Sequence, residues 1–89
     1  AAERRAELAP LKKAMQEAEK QVERITAELA KLDAALADPD LYARDPAKAQ
    51  QLLITRGQAA KKLAEAEEAW LAATEAYEAA ASSNTDAVA

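Results

Sequence analysis

The 89-residue chain contains no cysteine and no histidine. The lack of cysteine excludes disulfide bonds and thiolate metal sites. The lack of histidine removes the commonest neutral metal ligand and the side chain that most often shuttles protons near neutral pH. We therefore expect no bound metal and no cofactor.

The residues that build turns and β-sheets are also scarce, since the chain has one glycine, three prolines and no phenylalanine. This composition argues against a β-rich fold. Alanine, glutamate, lysine, leucine and arginine instead make up most of the sequence, which is typical of long helices and coiled coils. We expect an all-α protein.

No run of apolar residues approaches the 18 needed to cross a membrane, and residues 1–9, rich in Glu and Arg, do not resemble a signal peptide. We therefore expect a cytoplasmic protein without membrane contact. The formal net charge of −4 is unlike that of a dedicated nucleic-acid binder, so only a local basic patch could contact nucleic acid.

Apolar residues recur at alternating spacings of three and four in both halves of the chain, which is the pattern of a coiled-coil seam. The first seam comprises Leu8, Leu11, Met15, Ala18, Val22, Ile25, Leu29, Leu32 and Leu36. The second comprises Ala49, Leu52, Ala59, Leu63, Ala66, Trp70, Ala73, Tyr77 and Ala80, with Arg56 in one seam position. Two seams joined by a short loop predict a two-helix antiparallel coiled-coil hairpin.

Proline and aspartate set the expected boundaries of the two helices. Pro10 fits the first turn of a helix, so residues 1–8 are expected to be a lead-in and helix 1 to span about residues 9–37. Residues 38–45 form the loop. Asp45 is a good N-cap and Pro46 suits the first helical position, so helix 2 is expected over about 46–81, followed by a flexible tail at 82–89.

An antiparallel return keeps the two seams in register when Leu36 lies beside Ala49. The charges favour the same pairing, because basic residues near the start of helix 1 face acidic residues near the end of helix 2. These are Arg4, Arg5, Lys12, Lys13 and Lys20 on helix 1, and Glu65, Glu67, Glu68, Glu75 and Glu78 on helix 2.

Two groups of residues are candidates for contact with a partner. Four cations, Lys13, Lys20, Arg24 and Lys31, lie on the outward face of helix 1, and we call them the basic stripe. The stripe suits a phosphate backbone, although Glu17, Glu23 and Glu28 nearby favour a simple solvated face. The loop tip adds Leu41, Tyr42, Arg44 and Lys48; Leu41 and Tyr42 are expected to fold back over the end of the seam.

Three residues of helix 2 are unusual for their positions. We expect the stem of Arg56 to pack in the seam while its guanidinium reaches solvent or Glu28, the alternative being contact with a partner. Gly57 marks the expected weak point or kink of helix 2. Trp70, like Tyr77, is expected to belong to the core rather than to a base-stacking platform.

No pair of carboxylates has a cleft or a nucleophile beside it, and no glycine-rich phosphate loop is present, so we expect this chain to have no catalytic residues and not to be an enzyme. The loop Leu36-Ala-Asp-Pro-Asp-Leu-Tyr-Ala-Arg-Asp-Pro46 and the segment Glu68-Ala69-Trp70-Leu71 carry more specific information. They resemble the C-terminal domain of ABC-F family ATPases of the Uup type, over about residues 8–80.

The resemblance implies an accessory domain of a larger ATP-binding protein in which two cassettes bind and hydrolyse ATP. It also implies contacts with DNA, as in the Uup type, or with the ribosome and its RNA, as in ABC-F proteins generally. The alternative is a structural hairpin that docks on the protein's own ATPase cassettes or associates with itself. The coiled-coil arm of valyl-tRNA synthetases has the same shape but a different loop.

Overall fold

Two long antiparallel helices make up most of the molecule. The computed structural model describes the backbone of residues 2–88 and the side chains of residues 5–82. Helix α1 spans Ala2–Leu36, a short helix α2 spans Pro39–Arg44, and helix α3 spans Pro46–Val88. The hairpin measures 66 × 16 × 14 Å, and α1 packs along α3. The all-α antiparallel hairpin predicted from the seams is confirmed.

The first seam matches the side of α1 that is protected from solvent. Between Arg5 and Leu36, its nine members are half-buried and every other side chain of α1 is exposed. The protection is incomplete because one neighbouring helix covers only one side of another. Among the described side chains, only Ala49 and Ala59 of α3 are buried, at 2% and 6% exposure.

The connection between the long helices is itself mostly helical. The sequence predicted a loop at residues 38–45 and no helix within it. Asp38 caps α2 by accepting a hydrogen bond from the backbone N–H of Asp40 at 3.0 Å, and Pro39 occupies the first helical position. Asp45 caps α3 in the same way, accepting from the backbone N–H of Lys48 at 3.1 Å. The two Asp-Pro steps thus begin two successive helices.

The long helices extend further than their predicted ends. Helix α1 begins at Ala2 rather than near residue 9, and Pro10 lies inside it. The preceding Ala, Glu and Arg residues are strong helix formers, and they extend the helix past Pro10 although proline has no N–H to donate to the carbonyl of Ala6. Helix α3 continues to Val88. The tail predicted to be flexible, residues 82–89, lies almost entirely outside the described side chains.

Helix α3 runs without interruption through Gly57, where a weak point was predicted. Gly57 does not have a positive φ, and a Cβ atom added there would meet nothing within 4 Å. We expect Gly57→Ala to raise the free energy of unfolding by about 0.5–1 kcal/mol, because alanine has the higher helix propensity. Thermal unfolding checks this, with Ala72→Gly on the exposed surface of α3 as the reverse control. A Gly57→Ala midpoint below that of the parent protein would contradict it.

The cap at the start of α3 is expected to contribute measurably to stability. Replacing Asp45 by alanine removes the acceptor for the Lys48 backbone N–H, so we expect a loss of about 1 kcal/mol in urea unfolding. Asp40→Ala is the matched control, since the Asp40 side chain is exposed and accepts no hydrogen bond among the described residues. Equal losses from the two substitutions would show that the cap contributes nothing specific.

Candidate nucleic-acid interface

The basic stripe lies on the solvent side of α1, away from α3. Its four residues are separated by seven, four and seven positions, and all four side chains are exposed. At a rise of 1.5 Å per residue, Lys13 and Lys31 stand about 27 Å apart along the helix. The stripe is therefore a straight row of cations on one side of a rod.

None of the four cations makes an ion pair or a side-chain hydrogen bond within the part of the chain whose side chains are described. Glu17, Glu23 and Glu28 are near them in sequence but no ion pair within 4 Å forms. Exposed ion pairs of this kind contribute little to stability, because the entropy lost in ordering two long side chains offsets the electrostatic attraction. The four charges thus remain available to a partner, in a field that the carboxylates weaken.

The expected ion pairs across the open end of the hairpin are likewise not formed by the described side chains of α1 and α3. Arg4 lies outside that set. These cations and glutamates still favour the antiparallel register through longer-range attraction, but they do not lock it.

The tip contains a capped turn in which two of the four candidate residues take part. The Tyr42 hydroxyl donates a hydrogen bond to the carbonyl of Leu36 at 3.0 Å, and Leu41 is half-buried. Because Leu36 ends α1, this contact satisfies a carbonyl that has no partner within the helix. The hydrogen bond confirms that Tyr42 folds back onto the end of α1, although 44% of Tyr42 stays exposed.

The tip cations differ in their availability. Arg44 lies 3.5 Å from the Asp38 carboxylate and donates to the carbonyl of Asp40 at 3.4 Å, although its side chain is 72% exposed. The Lys48 side chain is exposed and unpaired within the described part.

Arg56 makes the only ion pair between α1 and α3 that the described side chains form. Its guanidinium donates two hydrogen bonds to the carboxylate of Asp33, with Nη2 3.4 Å from Oδ2 and with Nε bound to Oδ1. The hydrogen bond and the charge of Asp33 raise the pKa of the Arg56 guanidinium. The guanidinium was expected to reach solvent or Glu28; its partner is Asp33 and not Glu28, and the Arg56 side chain remains 43% exposed. The predicted register, with Leu36 beside Ala49, puts Leu29 opposite Arg56. Asp33 lies one turn nearer the tip than Leu29, and a long side chain spans that distance.

The two aromatic residues of α3 are covered unequally. Tyr77 is half-buried, as expected for the seam, whereas Trp70 remains 38% exposed. An indole is wide, and a two-helix seam can cover one side of it only. Its uncovered edge adjoins Leu71 and Thr74 in an open surface depression.

The depression lined by Glu17, Lys20 and Arg24 on α1 and the one lined by Gln58, Lys61 and Glu65 on α3 are open to solvent. No three carboxylates of the described residues come close enough to hold a metal ion. None of the helices in the described part of the chain combines the length and the hydropathy needed to cross a bilayer.

A known family matches most of this hairpin. The family described as the ABC transporter C-terminal domain matches residues 6–75. The chain belongs to this family. Comparison with curated proteins and with solved structures gives no significant match.

Membership makes this chain an accessory domain of an ABC-type protein. The matched ABC transporter C-terminal domain is a small helical domain and not an ATP-hydrolysing cassette, so the chain itself is non-catalytic. The loop and the Glu-x-Trp-Leu segment, on which the resemblance rested, thus led to a C-terminal domain of an ABC-type ATPase.

Proposed function

We propose that this C-terminal domain gives an ABC-F type ATP-binding protein of the cytoplasm an additional contact with nucleic acid, either DNA or ribosomal RNA. The basic stripe would form that contact. The observation that supports the proposal is that all four stripe cations are exposed and unpaired, in line over about 27 Å of one helix.

The chemistry of the stripe fits a phosphate backbone. Lysine and arginine at intervals of about 6–10 Å can each neutralise a phosphate, and release of the condensed counterions then drives binding. The stripe has no aromatic residue beside it for stacking on bases. We therefore expect binding that is weak, insensitive to sequence and strongly dependent on salt, with Arg44 and Lys48 adding contacts only where the partner reaches the tip.

The test is a titration of labelled duplex DNA and of a structured RNA with this chain at about 50 and about 150 mM salt. Four phosphate contacts predict a loss of affinity for duplex DNA of about 50-fold between the two salt concentrations. A variant with Lys13, Lys20, Arg24 and Lys31 all changed to Glu is expected to show no binding at either concentration while circular dichroism reports an unchanged helix content.

A matched pair of double variants distinguishes the contribution of the basic stripe to binding from the contribution of the net charge of the chain. Lys13→Glu with Lys20→Glu alters two stripe cations seven residues apart, and Arg5→Glu with Lys12→Glu alters two cations with the same separation on another side of α1. Only the first pair is expected to halve the salt dependence. An equal loss of affinity from both double variants, or no binding of the parent chain at about 50 mM salt, would refute the proposal. Tighter binding to RNA would favour the ribosome over DNA.

A second candidate function is docking of the hairpin on the protein's own ATPase cassettes. The exposed apolar side chains Leu53, Ile54 and Leu71 of α3 favour a protein partner of some kind. Mixing this chain with its separately expressed cassettes, and following the Trp70 fluorescence, tests this function. A change that Leu53→Lys with Leu71→Lys abolishes would support docking through that side of α3.

A further inference from the structure

A second apolar stripe runs along α3 beside the seam that packs on α1. It consists of Leu53, Gly57, Ala60, Ala64 and Leu71, at the same alternating spacings of three and four, with Glu67 between the last two. Leu53 is 49% and Leu71 is 59% exposed, and Ile54 adjoins the stripe at 48%. A Cβ atom at Gly57 would meet nothing within 4 Å. Ala60 is half-buried, and the other four members are exposed. This outer α3 face is thus shaped like a coiled-coil seam, and most of it has no partner within the described structure.

The charges of α3 are separated along its length. Residues 46–62 contain four cations and no carboxylate, whereas residues 63–82 contain five glutamates and no cation. The helix dipole does not explain this separation, since it favours the opposite arrangement. The charges of α1 and its C-terminal flank account for only part of it, since residues 5–22, beside the acidic half, carry one more cation than carboxylate, and residues 23–38, beside the basic half, carry two more carboxylates than cations.

We propose that the outer α3 face binds the same face of a second copy of this chain, with the two α3 helices antiparallel. Such an interface is isologous, and it places the basic half of each helix beside the acidic half of the other. The pairing sets Leu53 opposite Leu71 of the second copy and Ala60 opposite Ala64 of the second copy.

The small residues in the middle of the stripe and the leucines near its ends suit close packing of this face on a second copy of itself. Small residues in the middle of the stripe let two helix backbones approach closely, while the leucines near its ends supply the larger buried side chains. Glu67 faces Gly57 of the second copy, where the space is open. A parallel arrangement would instead put the five glutamates of each copy side by side. The basic stripe on α1 stays exposed in the dimer, so the proposal does not depend on nucleic-acid binding.

Sedimentation equilibrium over a concentration series tests the association. We expect a reversible dimer, and we expect Leu53→Lys with Leu71→Lys to raise its dissociation constant at least about tenfold, because each substitution places a charge in the apolar contact. Ala27→Lys with Ala34→Lys, at exposed positions of α1, is the matched control and should leave the dimer unchanged. Circular dichroism verifies that each variant keeps its helix content.

Disulfide trapping then tests the orientation, which is simple in a chain without cysteine. Gln50 and Thr74 are the next positions of the stripe beyond Leu53 and Leu71, and antiparallel helices bring Gln50 of one copy opposite Thr74 of the other. A mixture of Gln50→Cys and Thr74→Cys proteins is therefore expected to form the mixed disulfide in preference to either symmetric one. A monomer at every concentration, a dimer that both lysine pairs weaken equally, or a preferred disulfide between two Gln50→Cys chains would each overturn the proposal.

Discussion

Replacing Gly57 with proline is expected to remove a large part of the stability of the hairpin. Proline in a helix interior costs about 3 kcal/mol or more, since it has no N–H for the carbonyl of Leu53 and its ring clashes with that carbonyl. It also disfavours helical backbone at Arg56, whose guanidinium holds Asp33 across the two helices. A domain of this size has about 4–13 kcal/mol in total. We expect the midpoint of thermal unfolding to fall by more than about 10 °C.

The comparison with alanine makes this experiment specific. Gly57→Ala changes the same position without removing the N–H and is expected to stabilise the protein, so opposite shifts from the two variants isolate the backbone effect. Pro10 shows that α1 tolerates a proline near its start, where only eight described helical residues precede it. A Gly57→Pro protein as stable as the parent would mean that α3 does not need to be continuous, contrary to the structure.

Replacing Ala59 with leucine is expected to destabilise the hairpin by about 1–3 kcal/mol. Ala59 is 6% exposed in a seam position of α3, so the added carbon atoms have no room unless the two helices separate. The nearest larger seam residues would then lose part of the contact that protects them. Urea unfolding followed by circular dichroism measures the change.

The matched control is Ala27→Leu on the outward face of α1. It adds the same atoms at an exposed position, where the effect is expected to remain within about 0.5 kcal/mol. Equal effects from the two substitutions would mean that α1 and α3 are not closely packed at Ala59. A gain in stability from Ala59→Leu would contradict the buried position directly.

The tip shows where the sequence was informative but incomplete. The cap at Asp45 was predicted from local residue preferences, because it depends on a side chain and a backbone group three residues away, whereas the cap at Asp38 was not predicted. The short helix α2 between them was missed. Six residues are too few for apolar periodicity to show, and α2 forms where its ends are capped and Tyr42 anchors it to the end of α1.

Contacts between the helices were less accessible from sequence. The seam pattern predicted that Arg56 lies between the helices. It did not predict that Arg56 pairs with Asp33 and not with Glu28, because the partner depends on how far a flexible side chain reaches. The exposure of Trp70 was also missed, since helical spacing tells which side a residue lies on and not how much of that side a single partner covers.

The sequence by itself determined the two long helices, their antiparallel pairing and the seam residues that lie between them, because a sustained alternation of three and four marks a side of each helix that can pack on its neighbour. The tertiary structure decided how little side-chain surface the two helices bury between them. With two helices, seam residues stay half-exposed, the stripe cations remain unpaired, and α3 keeps a second apolar face open to solvent. These properties depend on which surfaces the hairpin leaves uncovered, and a local pattern along the chain does not contain that information.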